Sequence, residues 1–181
     1  MTVGAFPVQT PAAARSQLTF RALLAALSSP GEPFALPDHD NLFALIGETL
    51  LDLETSFHTP DAALHARLAD TGAHPVPAAG ADYVFFSTLD DAALGELAGV
   101  RRGDALEPQR AAAVIVGTVL GGPDVTLRGP GIPGVRRAAL GLPLGFWQTR
   151  RAALAYPLGW DAFLVGPGTV AGLPRTTVVD G

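Results

Sequence analysis

The spacing of apolar residues along the chain predicts a series of short amphipathic helices. The first is predicted to begin after Thr10 and to end at residues 28–31, because apolar side chains recur between them at i, i+3, i+4 and i+7. These side chains are Phe20, Leu23, Leu24 and Leu27. The same reasoning predicts a helix after Asn41, short helices that open at residues 59–61 and 88–90, and a helix over residues 144–154.

Short apolar runs between these segments predict the strands. Residues 83–87 are predicted to form a buried strand, and residues 111–116 and 124–128 to form a hairpin around a Gly-Gly-Pro turn. A second hairpin is predicted between residues 161–165 and 169–173. Helices and strands in this order indicate one α/β domain over the whole chain, with a mixed β-sheet flanked by helices.

The composition is unusually apolar. Hydrophobic residues make up 48% of the 181 residues and charged residues 16%, with a mean hydropathy of +0.30. A domain of this length buries about two thirds of its unfolded surface, and we expect part of the remaining apolar surface to close against another chain, in an oligomer or a complex. The apolar runs are far shorter than the roughly 20 residues that span a bilayer, so no membrane role is expected.

Two residue types are missing from the sequence, and their absence narrows the possible chemistry. There is no Cys, and residues 1–10 contain neither a basic nor a long apolar stretch, so we expect a protein of the cytoplasm. All 12 basic residues are Arg. Without Lys the chain lacks a Schiff-base lysine for pyridoxal phosphate and a Walker A lysine, and without Cys it lacks a thiolate nucleophile.

The charges are unevenly distributed along the chain. Residues 125–160 contain five arginines and no acidic residue, a local charge of +5 in a chain whose net charge is −5. The five are Arg128, Arg136, Arg137, Arg150 and Arg151. Arginine suits bidentate binding of phosphate or carboxylate, so one interpretation is an anionic ligand or an acidic partner surface. In the alternative, these arginines form a solvent-exposed face or pair with acidic residues elsewhere in the chain. The negative net charge argues against nucleic-acid binding.

The C-terminal quarter contains the main candidate site. Asp161 begins one predicted strand, and Arg175, Thr176 and Thr177 end another; α/β proteins present their chemistry at strand ends. The Arg175 guanidinium and the two hydroxyl groups could form a compact anion pocket. In the alternative, Asp161 and Arg175 pair with each other and fix the last strand, while Thr177 follows its β-propensity.

Three further features are candidate sites. Arg21 lies beside the apolar stripe of the first predicted helix, from which its head group could reach a cleft or, in the alternative, solvent. Residues 129–134 spell G-x-G-x-x-G, but no acidic residue follows at about 20 residues, as a dinucleotide-binding fingerprint requires, so a geometric turn is predicted. The four histidines lack the paired spacing of a metal site, so no metal site is predicted.

Four segments in order resemble the PhnH family of the bacterial carbon–phosphorus lyase system, which breaks down phosphonates. They are residues 20–31, 125–132, 156–166 and 168–177, the last ending on Leu-Pro-Arg-Thr-Thr, and Gly103 with the Glu107-Pro108 pair also fits. The resemblance covers most of the chain. It implies a fold like the large domain of pyridoxal-phosphate-dependent transferases, but without that cofactor.

The resemblance also implies partners and a reaction. It implies a homodimer that joins subunits G, I and J in a core complex, where the ribose triphosphate part of MgATP is joined to a phosphonate with loss of adenine, the chemistry being held by the I component. Our main hypothesis is therefore an interaction subunit that is not catalytic alone. The alternatives are a free-standing phosphoester or nucleotide-processing enzyme that uses Arg128, Asp161 and Arg175, and a module that binds phosphonate or nucleotide.

Overall fold

A computed structural model describes residues 10–119 and 121–180. Their helices are α1 (Pro11–Ser28), α2 (Leu42–Leu50), α3 (Ala62–Ala69), α4 (Asp91–Ala98) and α5 (Leu144–Ala153), with a 3₁₀ turn over Pro108–Arg110. Each predicted helix is present, which confirms those predictions. In the described part of the chain no helix is long and apolar enough to cross a membrane.

The strands of the described residues form two sheets. A mixed sheet has seven strands in the order β1-β9-β8-β5-β4-β2-β3, and an antiparallel sheet, called here the small sheet, has the order β10-β6-β7. The strands are β1 (Pro33–Ala35), β2 (Ser56–His58), β3 (His74–Pro75), β4 (Tyr83–Phe86), β5 (Ala113–Gly117), β6 (Asp124–Arg128), β7 (Arg136–Ala139), β8 (Asp161–Gly166), β9 (Thr169–Leu173) and β10 (Val178–Asp180). The predicted α/β class with a mixed sheet is confirmed, and the small sheet is an addition to it.

Side-chain caps determine where several helices begin. Thr10 accepts a hydrogen bond from the Ala13 N–H at 3.2 Å, which confirms it as the cap of α1. Asn41, Asp61 and Asp90 play the same part for α2, α3 and α4. Each cap satisfies a backbone N–H that has no partner inside the helix.

The large sheet is covered on both faces. Ile115 and Phe163 point to the face on which α1, α2 and α3 pack, whereas Val116 and Leu164 point to the face covered by α4, α5 and the small sheet. Neighbouring residues of a strand face opposite sides of a sheet. A strand that is buried on both sides therefore needs a continuous apolar run, and this is the pattern seen in β5 and β8.

Helix α1 buries a different face from the one that its apolar spacing predicts. Leu23 is buried as expected, but Phe20 is 47% exposed and Leu24 is 51% exposed. The neighbours of Leu23 on the buried face are the small residues Ala22 and Ala26. Small side chains let α1 lie close against strand β9, so the larger Phe20 and Leu24 remain outside the contact. The predicted stripe is only partly correct.

The first predicted hairpin is wrong and the second is confirmed. Strand β5 lies between β4 and β8 in the large sheet and is parallel to both, while β6 pairs with β7 and β10 in the small sheet. The run Val114–Ile115–Val116 is buried on both faces and needs neighbours on both sides, which a two-stranded hairpin with β6 cannot supply. Strands β8 and β9 pair antiparallel through residues 166–168, as predicted.

Candidate functional site

Asp161 and Arg175 form an ion pair in the structure. The Arg175 Nη2 atom donates to Asp161 Oδ2 at 2.8 Å, and the Arg175 backbone N–H donates to Asp161 Oδ1 at 2.7 Å. The other terminal nitrogen of Arg175 donates to the Pro108 carbonyl at 2.7 Å. Arg175 therefore joins the end of β9, the start of β8 and the 3₁₀ turn. The contacts agree with the alternative in which Asp161 and Arg175 pair with each other and fix the last strand.

This ion pair lies at the amino edge of the parallel strands. Asp161 is the first residue of β8, and Arg175 follows β9, which runs antiparallel to β8. Open α/β sheets bind ligands at the carboxyl ends of their strands. Asp161 and Arg175 therefore lie at the opposite edge of the sheet from the one where such folds bind ligands, and the anion pocket stays a prediction.

A second acidic residue, Asp82, also joins neighbouring segments at the amino edge of the parallel strands. Asp82 directly precedes β4 and accepts hydrogen bonds from the Ser56 hydroxyl at 2.6 Å and the Ser56 N–H at 2.9 Å, and it also pairs with Arg101. Burial acts to raise the pKa of Asp82, but the hydrogen bonds from Ser56 and Arg101 outweigh it and lower the pKa. Asp82, like Asp161, holds strands together.

The other predicted site residues do not form one constellation. Thr176 is half-buried and Thr177 is buried in the segment between β9 and β10. Arg128 is exposed, with its Nε atom 3.7 Å from Asp180 Oδ2. Arg21 is exposed on α1, which packs on the face of the large sheet opposite the small sheet. Only Asp161, Arg175, Thr176 and Thr177 lie close together along the amino edge.

The glycine-rich segment at residues 129–134 connects β6 to β7 inside the small sheet. A dinucleotide-binding fingerprint leads from a strand into a helix, so the prediction of a geometric turn is confirmed. Gly131 has φ +80°, and a Cβ at this position would lie 2.4 Å from the Ser28 carbonyl oxygen. The turn thus needs glycine for its close contact with the end of α1.

A cleft of about 1140 Å³ lies between helix α5 and the small sheet. Its walls are mostly apolar, and exposed large side chains stand at its rim, among them Leu144 (70% exposed) and Tyr156 (77% exposed). The apolar lining includes Val125, Leu140, Leu142, Trp147, Leu154 and Val179. Thr176, Thr177 and Arg175 also line the cleft, so part of the predicted anion site borders it.

Arg150 also lines this cleft, and it is not among the candidate site residues predicted from the sequence. Its side chain is 1% exposed, and its terminal nitrogens donate to three carbonyl oxygens: Pro174 at 2.7 Å, and Trp160 and Thr177 at 3.4 Å each. Its guanidinium carbon lies 5.5 Å from the centre of the Trp160 ring. Burial lowers the pKa of Arg150 to about 10, against the attraction of Asp161, so the group is charged at neutral pH.

The comparison with known proteins shows to which family the chain belongs. The family model described as bacterial phosphonate metabolism protein (PhnH) matches residues 8–180. This chain belongs to the PhnH family. A protein of Stutzerimonas stutzeri with the provisional name C-P lyase subunit protein HtxG is 34% identical over 174 residues, which cover 93% of this chain and 87% of the relative. The resemblance that the four sequence segments indicate is confirmed.

The segments that resemble PhnH proteins meet one another in space. The Gly31 N–H donates to the Gly172 carbonyl at 2.9 Å, which joins the first segment to the last. A Cβ on Gly129 would lie 2.8 Å from the Thr176 carbonyl oxygen, so the second segment also touches the last. Backbone contacts this close explain why glycine recurs in these segments of this PhnH chain.

The histidines of this PhnH chain do not gather into a metal site. Among the described residues no group of three or more His, Cys, Asp or Glu side chains could hold a metal ion. His58 instead connects the edge of the large sheet to α4, with its Nε2 atom 2.5 Å from Glu96 Oε2 and its Nδ1 atom 3.2 Å from the Val76 carbonyl. This histidine therefore has a structural contact on each ring nitrogen.

Proposed function

We propose that this PhnH-family chain is a subunit of the carbon–phosphorus lyase complex. The observation that carries the proposal is the similarity to the C-P lyase subunit protein HtxG, which extends over 93% of this chain and 87% of the relative. A match over nearly the full length of both proteins supports a shared role more strongly than a match of one motif. The family description, a phosphonate metabolism protein, agrees with this role.

The step and the partners form the finer part of the proposal. The chain acts as a homodimer with subunits G, I and J, in the cytoplasm, where the ribose triphosphate part of MgATP is joined to an alkylphosphonate and adenine is released. It is not catalytic by itself. Two features support this: Arg175 and Asp161 are bonded to each other rather than free, and the chain has no Lys or Cys nucleophile.

The fold is proposed to derive from the large domain of pyridoxal-phosphate-dependent transferases, without the cofactor. A mixed sheet flanked by helices on both faces agrees with that origin. The sequence contains no lysine that could form the Schiff base of such an enzyme. We therefore assign the chain no cofactor.

Growth on a phosphonate tests the main proposal. The gene for this chain is deleted from its host, and growth is measured with methylphosphonate as the only source of phosphorus. We expect no growth without the gene, normal growth with inorganic phosphate, and rescue by a plasmid copy whose tagged product co-purifies with the other subunits. Growth of the deletion strain on methylphosphonate would show that the chain is not required.

A second experiment separates the subunit from the free-standing enzyme. The purified chain is incubated with MgATP and methylphosphonate, and adenine release is measured. We expect none from the chain alone, and release by it would overturn the non-catalytic role. Single substitutions of Arg128, Asp161 and Arg175 give a further distinction: lost turnover with intact assembly supports the enzyme, and lost assembly of a variant that remains folded supports the subunit.

A further inference from the structure

We propose that the cleft between α5 and the small sheet binds a small organic anion, with its charged group on Arg150 and its apolar body along the opposite wall. The ligand class comprises phosphonates, phosphate esters and carboxylates that carry an aryl or alkyl group. This goes beyond the proposed function, because a subunit can join a complex without binding a small ligand of its own.

The first argument is the uncompensated charge of Arg150. Its side chain is buried, and within residues 10–119 and 121–180 its hydrogen-bond acceptors are neutral carbonyl groups. The nearby carboxylate of Asp161 is already bonded to Arg175. A buried charge that has no counter-ion destabilises the fold. An anion in the cleft would supply the missing negative charge through strong, charge-assisted hydrogen bonds.

The second argument is that two buried polar atoms beside the cleft have no hydrogen-bond partner among the described residues. The Nε atom of Arg150 and the Oγ1 atom of Thr177 are buried and have no hydrogen-bond partner among the described residues. Both residues line the cleft, and Arg150 contacts the Thr177 carbonyl at 3.4 Å. Buried donors without partners are rare in proteins. Both residues are only 1% exposed, so an oxyanion would reach these atoms once the two side chains turn towards the cleft, where it could accept a hydrogen bond from each.

The third argument is the shape and charge of the whole cleft. The end near the C-terminus of α5 contains Arg150 and the exposed Arg151, whereas the wall towards the start of α5 contains Leu142 and Trp147. A volume of about 1140 Å³ is enough for an organic molecule, since ligand pockets of about 300–1,000 Å³ are typical. The lining also contains Asp124 and Asp180, whose carboxylates would repel an anion. The charged group of the ligand therefore has to lie at the Arg150 and Arg151 end, and its apolar part along Leu142 and Trp147.

The two tryptophans of the chain give a direct test. Trp147 lines the cleft, and Trp160 lies beneath the Arg150 guanidinium, so the two indole N–H signals in a ¹H–¹⁵N NMR spectrum report on this region. Phenylphosphonate is added to the full chain and is expected to shift both signals in a saturable way, with a Kd of about 1 mM or lower. Benzoate tests whether a carboxylate is accepted in place of the phosphonate.

Two comparison ligands test the need for both parts of the molecule. Inorganic phosphate lacks the apolar body and benzyl alcohol lacks the charge, so each is expected to bind at least about tenfold more weakly than phenylphosphonate. Unmoved indole signals at millimolar phenylphosphonate would overturn the proposal. Equal binding of benzyl alcohol and phenylphosphonate would also overturn it, because the charge of Arg150 would then have no part.

A matched pair of variants places the ligand in the cleft. Leu144→Glu adds a negative charge at the rim, and Leu106→Glu adds the same charge at a residue that is 91% exposed and outside the lining. We expect Leu144→Glu to weaken phenylphosphonate binding about tenfold and Leu106→Glu to leave it unchanged. Equal effects of the two variants would overturn the location.

Assembly is measured separately so that the two proposals can fail independently. Both variants are co-expressed with the other subunits, and co-purification is compared with that of the native chain. Retained assembly of Leu144→Glu with weakened ligand binding supports the cleft as a ligand site. Lost assembly of Leu144→Glu, with no response of the native chain to phenylphosphonate, would overturn the inference and leave the subunit role intact.

Discussion

The Asp161 carboxylate accepts hydrogen bonds from both the guanidinium and the backbone N–H of Arg175, at 2.8 Å and 2.7 Å. Asp161 begins β8 and Arg175 follows β9, and a two-residue turn connects these strands at their other end, so the pair fixes the open end of the β8–β9 hairpin. The same guanidinium extends to the Pro108 carbonyl. A residue that resembles part of an anion site from its sequence context thus serves as a three-way connection in the fold.

Removing the acid of this pair should destabilise the protein. Asp161→Ala leaves the half-buried Arg175 without its counter-charge and its backbone N–H without an acceptor, so we expect a loss of about 2–4 kcal/mol in the free energy of unfolding. Urea denaturation measures it. Arg128→Gln is the control, because its pair with Asp180 is exposed on both sides and is worth less than about 1 kcal/mol. Equal losses would contradict a structural role for Asp161.

The turn between β6 and β7 allows a test of close packing. Gly131→Ala places a Cβ 2.4 Å from the Ser28 carbonyl oxygen, whereas Gly134→Ala in the same turn meets no atom within 4 Å. Both residues have positive φ, so both substitutions add backbone strain of about 1–2 kcal/mol. We expect Gly131→Ala to lower the thermal midpoint clearly more than Gly134→Ala. Equal midpoints would show that the contact with α1 relaxes without cost.

The lowered pKa of Asp82 predicts a dependence of stability on pH. A carboxyl group whose pKa is lower in the folded state stabilises the fold above its unfolded pKa of about 3.9, and this contribution is lost as the pH falls through the folded value. Asp82→Asn should therefore reduce the difference in unfolding free energy between neutral and acidic pH.

Urea titrations of the native chain and of Asp82→Asn at about pH 6 and pH 3 measure this difference. Asp38→Asn, the same substitution at an exposed position, is measured alongside as the control. A native-like pH difference in Asp82→Asn would contradict the role given to the hydrogen bonds from Ser56 and Arg101.

The cap of α4 gives a prediction with a neighbouring control. The Asp90 carboxylate accepts a hydrogen bond from the Ala93 N–H at 2.8 Å, so Asp90→Ala should cost about 1 kcal/mol of stability. Asp91, the next residue, lies in the first turn of the helix, where its carboxylate interacts with the helix dipole. Asp91→Ala should cost less, about 0.3–1 kcal/mol. A larger loss for Asp91→Ala would show that the cap is assigned to the wrong residue.

The helices and the β8–β9 hairpin could be predicted because their signals are local. Thr10, Asn41 and Asp90 stand directly before apolar-periodic segments, and residues 166–168 form a Gly-Pro-Gly turn between two apolar runs. The cap hydrogen bonds and the turn itself join residues only a few positions apart. Local chemistry is enough to place such elements.

Other parts of the fold depend on contacts that are distant in the sequence. Strands β1, β2, β3, β7 and β10 have only two to four residues each, too few for a periodic pattern, and they exist because a longer strand lies beside them. The wrong pairing of β5 with β6 has the same origin. Nothing near Val114 or Val116 in the sequence indicates that β4 and β8 are the neighbours of β5.

Arg150 could have been found from the sequence with one further step. It stands four residues after Phe146 and three before Ala153, on the side of α5 that is buried in the structure. An arginine on the apolar side of a predicted helix, in a segment without acids, indicates a buried cation in need of acceptors. Arg175 has the more conspicuous sequence context, because hydroxyl groups follow it.

The turn at residues 129–134 has a consequence for related proteins that differ in ligand or partner. It rests on the end of α1 through Gly131 and on the C-terminal segment through Gly129, so it sets how far the small sheet stands from α5. A longer or bulkier turn would tilt the small sheet and change the width of the cleft, although Pro130 is the one residue of the turn that lines the cleft. Relatives with a wider or narrower cleft should therefore differ first in this turn.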